Sequence, residues 1–286
     1  MARARQTPAV AVVTDSTAYL PSGAAEAMGV RVVPLQVIVG GGVRAEGSEI
    51  GPDEVADALR HGHAVSTSRP SPTLFAATYR AAFAAGASSV VSVHISSEMS
   101  GTLDAARLAA GGVDGEVQVV DSRSVGMGMG FAVQAGAEAA QAGAHADAVV
   151  DVVNRTLANT QAYFYVDTLE FLRRGGRIGA ARALVGSALS VKPLLCLRDG
   201  RIEPLERVRT SAKAMARLQD IAVEAAGDDP VSVAVHHLAA PTRAEQLAQA
   251  LDMRLPKLDE LVTTEVGAVV GAHTGPGMLA VVICRR

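Results

Sequence analysis

Short apolar runs alternate with stretches of helical periodicity along the first half of the chain. Ala9 to Val13 reads as a strand that ends in the polar cluster Thr14, Asp15, Ser16 and Thr17. In open α/β sheets, ligands gather at that carboxyl edge. Pro21 to Met28 reads as a short helix with proline near its first turn and Gly29 as its stop. Val30 to Val39 reads as a second strand, turned at Gly40 to Gly42, and Pro52 to Arg60 as a helix. Pro70 and Pro72 keep Thr67 to Ser71 extended, with Ser71 and Pro72 as N-cap and N1 of a helix running to Gly86. Ser88 to Ile95 and Glu116 to Asp121 are further strands. A long Ala-rich helix follows, and Ala146 to Thr160 completes the helical part. This alternation predicts a mainly parallel sheet with helices on both faces.

A new strand begins at Ala162 to Val166, and the expected domain boundary falls just before it. Leu169 to Arg173 is a short helix. Leu194 to Leu205 carries Asp199-Gly200 between apolar arms, a hairpin signal that requires a mixed sheet in the second half. Thr210 to Ala225 and Ala244 to Leu251 read as helices, and Val231 to Val235 as a strand. Leu261 to Thr264 and Met278 to Ile283 read as closing strands. The expected architecture is therefore two α/β domains. Residues 1–160 form a three-layer α/β/α unit with a mainly parallel sheet, and 161–286 an α/β unit with a mixed sheet.

Composition narrows the function. Of 286 residues, 49% are hydrophobic and 19% charged, enough for a large core and too apolar for disorder. The net charge of −3, without a basic block, argues against nucleic acid, and 3% aromatics without tryptophan offer no stacking platform. Cys196 and Cys284 stand in apolar runs without a CxxC partner, as buried small hydrophobes in a reducing compartment. The start, MARARQTPAV, is basic but lacks a long apolar segment behind it, and no uncharged run reaches transmembrane length. A soluble cytoplasmic protein without stable membrane insertion is expected, and no metal motif is present.

The candidate chemistry lies on three polar clusters. In SVHISSEMSGTLDAARL a strand delivers Ser96, Ser97, Ser100, Gly101 and Thr102 to a helix start, where unpaired N–H groups favour an anion. The plainer reading makes Ser100 an N-cap. Thr67 and Ser68 lie in a stiff loop ahead of a helix. His273 and Thr274 lie in a tight loop flanked by Gly271, Gly275 and Gly277. Arg177 follows Gly175-Gly176, and Arg209 precedes the helix that Thr210 opens. Gly126, Gly128 and Gly130 do not make a dinucleotide fingerprint, because Phe131 holds the third glycine's place.

TDSTAYLP at 14–21, TSRPSP at 67–72 and ISSEMSGT at 95–102 resemble the DegV family, as do LRRGGRIG at 172–179, VRT at 208–210 and GAHTGPG at 271–277. The resemblance implies a protein that binds a long-chain fatty acid such as palmitate, without a cofactor. Several members are the fatty-acid-binding subunit of a bacterial fatty acid kinase, in which a separate kinase subunit phosphorylates the bound acid to acyl phosphate. It therefore implies a carrier that is not itself an enzyme. By motif, Thr67 and Ser100 resemble the carboxylate-binding hydroxyls, with Ser68, Gly101 and Thr274 beside them, and His273 the histidine of that network. Arg177 and Arg209 resemble arginines of phosphotransfer with the kinase. Arg69 stands where the family usually has glutamine, adding a charge near the head group. The competing class is a lipid hydrolase with Ser100 as nucleophile and His273 as base. Against it, Met99-Ser100-Gly101 has no glycine two residues before the serine. Glu265 and Asp15 are the acids left open as partners of the histidine. A phosphoryl-transfer enzyme in its own right is disfavoured by the absence of G-x-x-x-x-G-K-[ST].

Overall fold

The computed structural model describes residues 9–184 and 192–286; the basic start of the chain lies outside the described residues. In chain order the first elements are β1 (Val10–Asp15), α1 (Ala24–Met28), β2 (Arg31–Val33), β3 (Gln36–Val39), β4 (Gly42–Ala45) and α2 (Pro52–Arg60). Next come β5 (Val65–Ser68), α3 (Pro72–Ala84), β6 (Ser89–His94), α4 (Thr102–Ala110), β7 (Glu116–Asp121), α5 (Met127–Gln141) and α6 (Ala146–Ala158). The rest comprises β8 (Thr160–Tyr165), α7 (Glu170–Arg174), β9 (Lys192–Arg198), β10 (Arg201–Val208), α8 (Ser211–Ala226) and β11 (Val231–His237), then α9 (Pro241–Arg254), β12 (Leu258–Glu265), α10 (Ala268–Thr274) and β13 (Leu279–Arg285).

The expected α/β class holds, with a parallel and a mixed sheet. Strands β2-β1-β6-β7 form an all-parallel sheet. Alternation in β1 sends Val10 and Val12 to α5 and α6, and Val13 to α3 and α4. Both faces are thus covered, as a parallel sheet requires. Glycines let α5 sit close. A Cβ at Gly136 would come within 2.8 Å of Val153 on α6, and one at Gly130 within 2.9 Å of the Ala18 carbonyl. The second large sheet has order β10-β9-β8-β13-β11-β12 and is antiparallel except for β11 with β12. The predicted hairpin joins β9 and β10, with Asp199 and Gly200 both at positive φ (51° and 79°), as a primed turn demands. One face of this sheet packs on α8 and α9. The other carries Ala162, Phe164, Leu195, Ala280 and Val282 and faces the first half of the chain.

The chain departs from the sequence pattern at Val30 to Val39. The run splits at Pro34-Leu35 into β2, which pairs with β1, and β3, which joins a separate antiparallel sheet β4-β3-β5. The backbone of Leu35 is spent elsewhere: its N–H donates to Ser16 Oγ (3.0 Å) and its carbonyl accepts from Glu46 N (2.9 Å). Thr67 and Ser68 are accordingly on a strand rather than in a loop. The first helix starts only at Ala24, because Gly23 at φ 76° precedes it.

A buried polar chain pins β1 to β6. Asp15 is fully buried; its Oδ1 accepts from Thr17 N (3.0 Å), and its Oδ2 accepts from Ile95 N (3.0 Å) and lies 3.0 Å from His94 Nδ1. His94 Nε2 contacts Ser92 Oγ (2.7 Å), which contacts Tyr79 OH (2.9 Å). Asp15→Ala would strand several buried donors, each costing about 1–3 kcal/mol. Urea unfolding of that variant should show a loss of at least about 3 kcal/mol; a loss below ~1 kcal/mol would mean the network carries no weight.

Candidate functional site

Between the inner face of the six-stranded sheet and the first half of the chain lies a cavity of about 250 Å³. Its floor is Ala162 and Phe164 of β8, Leu197 of β9, Ile202 of β10 and Ala280 and Val282 of β13. Pairing places Phe164 beside Ala280 and Ala162 beside Val282, so the floor is rows of apolar side chains one pleat apart. Leu35, Ile95, Met99, Val125 and the α10 residues Val269 and Val270 also line the cavity. No carboxylate lines it among the described residues.

The polar groups gather at one end: Thr67, Ser68, Arg69, Ser100, Gly101, Arg177, His273 and Thr274 all line the same cavity. Thr67 Oγ1 and His273 Nε2 are 2.8 Å apart. His273 is on α10, not in a loop; the tight turn begins at Gly275. Its other nitrogen, Nδ1, has no hydrogen-bond partner and lies against the backbone of Gly175, where a Cβ would come within 2.0 Å of it. Burial, and secondarily the Arg177 charge, lower the imidazole to about 4, so it is neutral at pH 7. A neutral ring has one proton, and a buried N–H without an acceptor is rarer than a bare lone pair. The proton therefore sits on Nε2 and is donated to Thr67, which leaves the threonine O–H free to donate to a ligand.

Gly101, not Ser100, holds the N-cap position of α4, although the Ser100 hydroxyl meets the first N–H of the helix. Ser100 Oγ accepts from Thr102 N (3.3 Å) and lies 2.8 Å from Thr102 Oγ1. Thr102 is fully buried, and Ser100 is its hydroxyl's partner, so Thr102 donates and the Ser100 proton is also free. Ser68 and Thr274 are less available. Ser68 donates to Gln36 Oε1 (3.1 Å) and Thr274 to the Val270 carbonyl (3.0 Å). Arg69 lies over Gly101, where a Cβ would meet Nη1 at 2.7 Å. Arg177 is half-buried and donates from Nε to the Met99 carbonyl (3.0 Å) and from Nη1 to the Gly175 carbonyl (2.6 Å). It thus clamps the Ser100 loop to the turn that backs His273. Arg209 is not brought to this end. It is exposed between β10 and α8 and does not line the cavity.

The described residues do not join Ser100, His273 and an acid into a hydrogen-bonded series. His273 spends Nε2 on Thr67, and neither acid considered for Nδ1 reaches it. Asp15 holds His94, and Glu265 accepts from Ala239 N (2.7 Å) beside His237. A Ser–His–Asp series does exist at Ser92, His94 and Asp15, but all three are fully buried. Among the described residues no group of three or more His, Cys, Asp or Glu side chains is placed to hold a metal, and no helix is long and apolar enough to cross a membrane.

Sequence reasoning missed the residues that support this end. His236 also lines the cavity, with both nitrogens spent: Nε2 accepts from Met127 N (2.9 Å) and Nδ1 lies 2.8 Å from Thr264 Oγ1. Burial lowers it to about 4. Glu46 is buried beside Tyr19, Ser16 and the start of α10. Burial raises its pKa, opposed by the hydrogen bonds from Ser16, Val269 and Tyr19. The signal for Tyr19 lay within TDSTAYLP; nothing in the pattern marked Glu46.

Fold and cavity together define an α/β protein with an internal apolar chamber that ends in hydroxyl and guanidinium donors. The chain matches the family model described as an uncharacterised protein, DegV family, over residues 9–286, and it belongs to the DegV family. A DegV domain-containing protein of Streptomyces coelicolor is 56% identical over 277 residues, covering 97% of this chain and 99% of the relative. One from Mycobacterium tuberculosis is 39% identical over 274 residues, 96% of each chain. Among solved structures, a DegV family protein from Thermus thermophilus described by its fatty acid binding superposes with TM-score 0.92 at 36% identity, covering 97% of this chain and 99% of that one. The fatty acid binding protein DegV from Bacillus subtilis superposes at 0.88 with 32% identity and the same coverage.

The two depressed histidines link stability to pH. The unfolded chain binds their protons near pH 6.5 while the folded chain refuses them until about 4. Their contribution is therefore complete above about pH 6.5 and falls on acidification through that window, by up to ~1.4 kcal/mol per pH unit for each group. Urea unfolding at pH 7 and pH 5 should show a shallower pH slope in His273→Asn than in the parent. Equal slopes would mean that His273 titrates normally.

Proposed function

We propose that this protein binds one long-chain fatty acid, with its carboxylate at Thr67 and Ser100 and its tail along the inner face of the six-stranded sheet. The observation that carries this reading is the sorting of the cavity wall. Free donors stand at one end, and the remaining polar side chains, Tyr19 and His236, spend their hydrogen-bonding groups on the protein. An anionic head with an apolar tail matches that sorting. At ~0.8 kcal/mol per buried CH₂, a tail of about fifteen methylenes contributes on the order of ten kcal/mol. The relatives described by fatty acid binding support the same ligand class.

The test uses purified protein, native mass spectrometry and palmitate titration. Protein from a host that makes long-chain acids should carry one; a bare chain that also refuses added palmitate would sink the reading. Thr67→Ala and Ser100→Ala should each weaken binding by roughly 1.5–3 kcal/mol, the worth of a hydrogen bond to a charged group. The double variant should lose less than the sum, because both hydroxyls serve one carboxylate. Unchanged affinity in both single variants would reduce the two residues to local structure.

The second part of the proposal is presentation. The bound carboxylate is offered to a separate fatty acid kinase subunit in the cytoplasm and leaves as acyl phosphate. Arg177 stands at the head-group end, and Arg209 is exposed and free to grip a phosphate or an acidic face of the partner through its fork of donors. Arg209→Ala should keep its lipid and support much less acyl phosphate when kinase and ATP are added. Arg177→Ala, which also releases Met99 and Gly175, should lose part of both. Lipid content and phosphotransfer measured on the same preparations check this; an Arg209 variant that turns over like the parent would remove Arg209 from the phosphotransfer step.

A further inference from the structure

We propose that Glu46, acting with Tyr19, is the positioning residue of the head-group end: it fixes α10 so that His273 meets Thr67. The inference deepens the fatty-acid reading and rests on it for its ligand test, though not for its spectroscopic one.

Glu46 follows β4 and is 6% exposed. Its two oxygens collect donors from separate parts of the chain. Oε1 accepts from Val269 N (2.7 Å) and Tyr19 OH (3.1 Å), and Oε2 accepts from Ser16 Oγ. Tyr19 OH in turn accepts from Val270 N (3.1 Å). Val269 and Val270 lie in the first turn of α10, whose N–H groups have no partner within the helix. No side chain of its own caps α10, whose N-cap is Gly267. Glu46 and Tyr19 therefore supply the cap from outside.

Two costs in the local backbone fit this role. A Cβ at Gly267 would fall 2.4 Å from Glu46 Oε1 and 2.7 Å from Tyr19, so the carboxylate reaches the helix only past a glycine. Tyr19 itself sits in the left-handed region at φ 47°, ψ 43°, unusual for a bulky residue. Strain of that kind persists where surrounding contacts over-determine it, and here it brings the phenol between Glu46 and α10.

The geometry then runs directly to the site. His273 is four residues after Val269, on the same face of the helix. At seven residues α10 is too short to hold a direction unaided. Thr67 lies on β5, and β5 pairs with β3, which pairs with β4, the strand that Glu46 follows. Both partners of the 2.8 Å Thr67–His273 contact are thus referenced to one small sheet, Thr67 by strand pairing and His273 through Glu46.

Glu46→Gln keeps the shape but exchanges one acceptor oxygen for a donor, and Tyr19→Phe keeps the ring on the cavity wall while removing the hydroxyl. Each is measured for palmitate and for hexadecan-1-ol, which shares the tail and lacks the carboxylate. The expectation is a loss of about tenfold for palmitate in Glu46→Gln, equivalent to ~1.4 kcal/mol, with the alcohol nearly unchanged and Tyr19→Phe in between. Equal losses for both ligands, or none for either, would overturn the proposal by making Glu46 an element of general stability or of no consequence. A second readout needs no lipid. The ¹⁵N-labelled His273 ring should show a protected Nε2–H in the parent that broadens or vanishes in Glu46→Gln; an unchanged signal would overturn the proposal. A parent that binds no palmitate yet shows the ring effect would defeat the fatty-acid reading and leave the positioning role standing.

Discussion

The hydrogen bond between Thr67 and His273 joins residues 206 positions apart, and the polar end of the cavity is organised around it. The imidazole in it is neutral, with a single proton to place. Desolvation removes the second proton, the backbone of Gly175 shuts off Nδ1, and the remaining proton is committed to Thr67. The threonine hydroxyl is thereby turned outward as a donor. The same logic acts at Ser100, whose lone pairs are occupied by Thr102. Two neutral hydroxyls aimed by their neighbours, with Arg69 and Arg177 lining the same cavity, suit an anion without a buried unpaired cation.

Much of this was legible in the sequence, for reasons that differ by element. Strands β1, β6 and β7 of the parallel sheet were readable because each one's apolar run is bounded by polar or glycine breaks. The hairpin was readable because Asp199-Gly200 supplies two positive-φ residues in the right place. The cluster of Thr67, Ser100 and His273 was reached through motifs, since no local pattern says that residues so far apart will meet. The failures are equally physical. The split of Val30 to Val39 hides in an apolar run, because what separates β2 from β3 is the use of the Leu35 backbone by Ser16 and Glu46. His273 was read as loop because glycines surround it. The helix that carries it is capped by a carboxylate more than two hundred residues upstream, in a segment with no periodic signal. Arg209 was grouped with Arg177 by motif, yet one lines the cavity and the other does not.

The cavity also explains how so aromatic-poor a chain builds an internal chamber. Neither large sheet contains it. The six-stranded sheet closes one face with α8 and α9 and leaves the other to be roofed by the first half of the chain. Alanines and glycines at the junction, such as Ala162, Ala280 and Gly126, withhold the volume that would fill the gap. His236 braces the same junction by accepting from Met127 at the start of α5.

The position of β13 has a consequence for biosynthesis. Although it follows every other strand in the sequence, it lies inside the six-stranded sheet, bonded to β8 on one side and β11 on the other. The parallel sheet, complete by β7, is available to form while the chain is still emerging from the ribosome. The chamber floor is not, because Ala280 and Val282 arrive with the last strand, and until then β8 and β11 have open edges toward each other. A nascent or truncated chain therefore exposes an apolar sheet face and unpaired strand edges at once. That makes the interval before β13 inserts a point of exposure to aggregation.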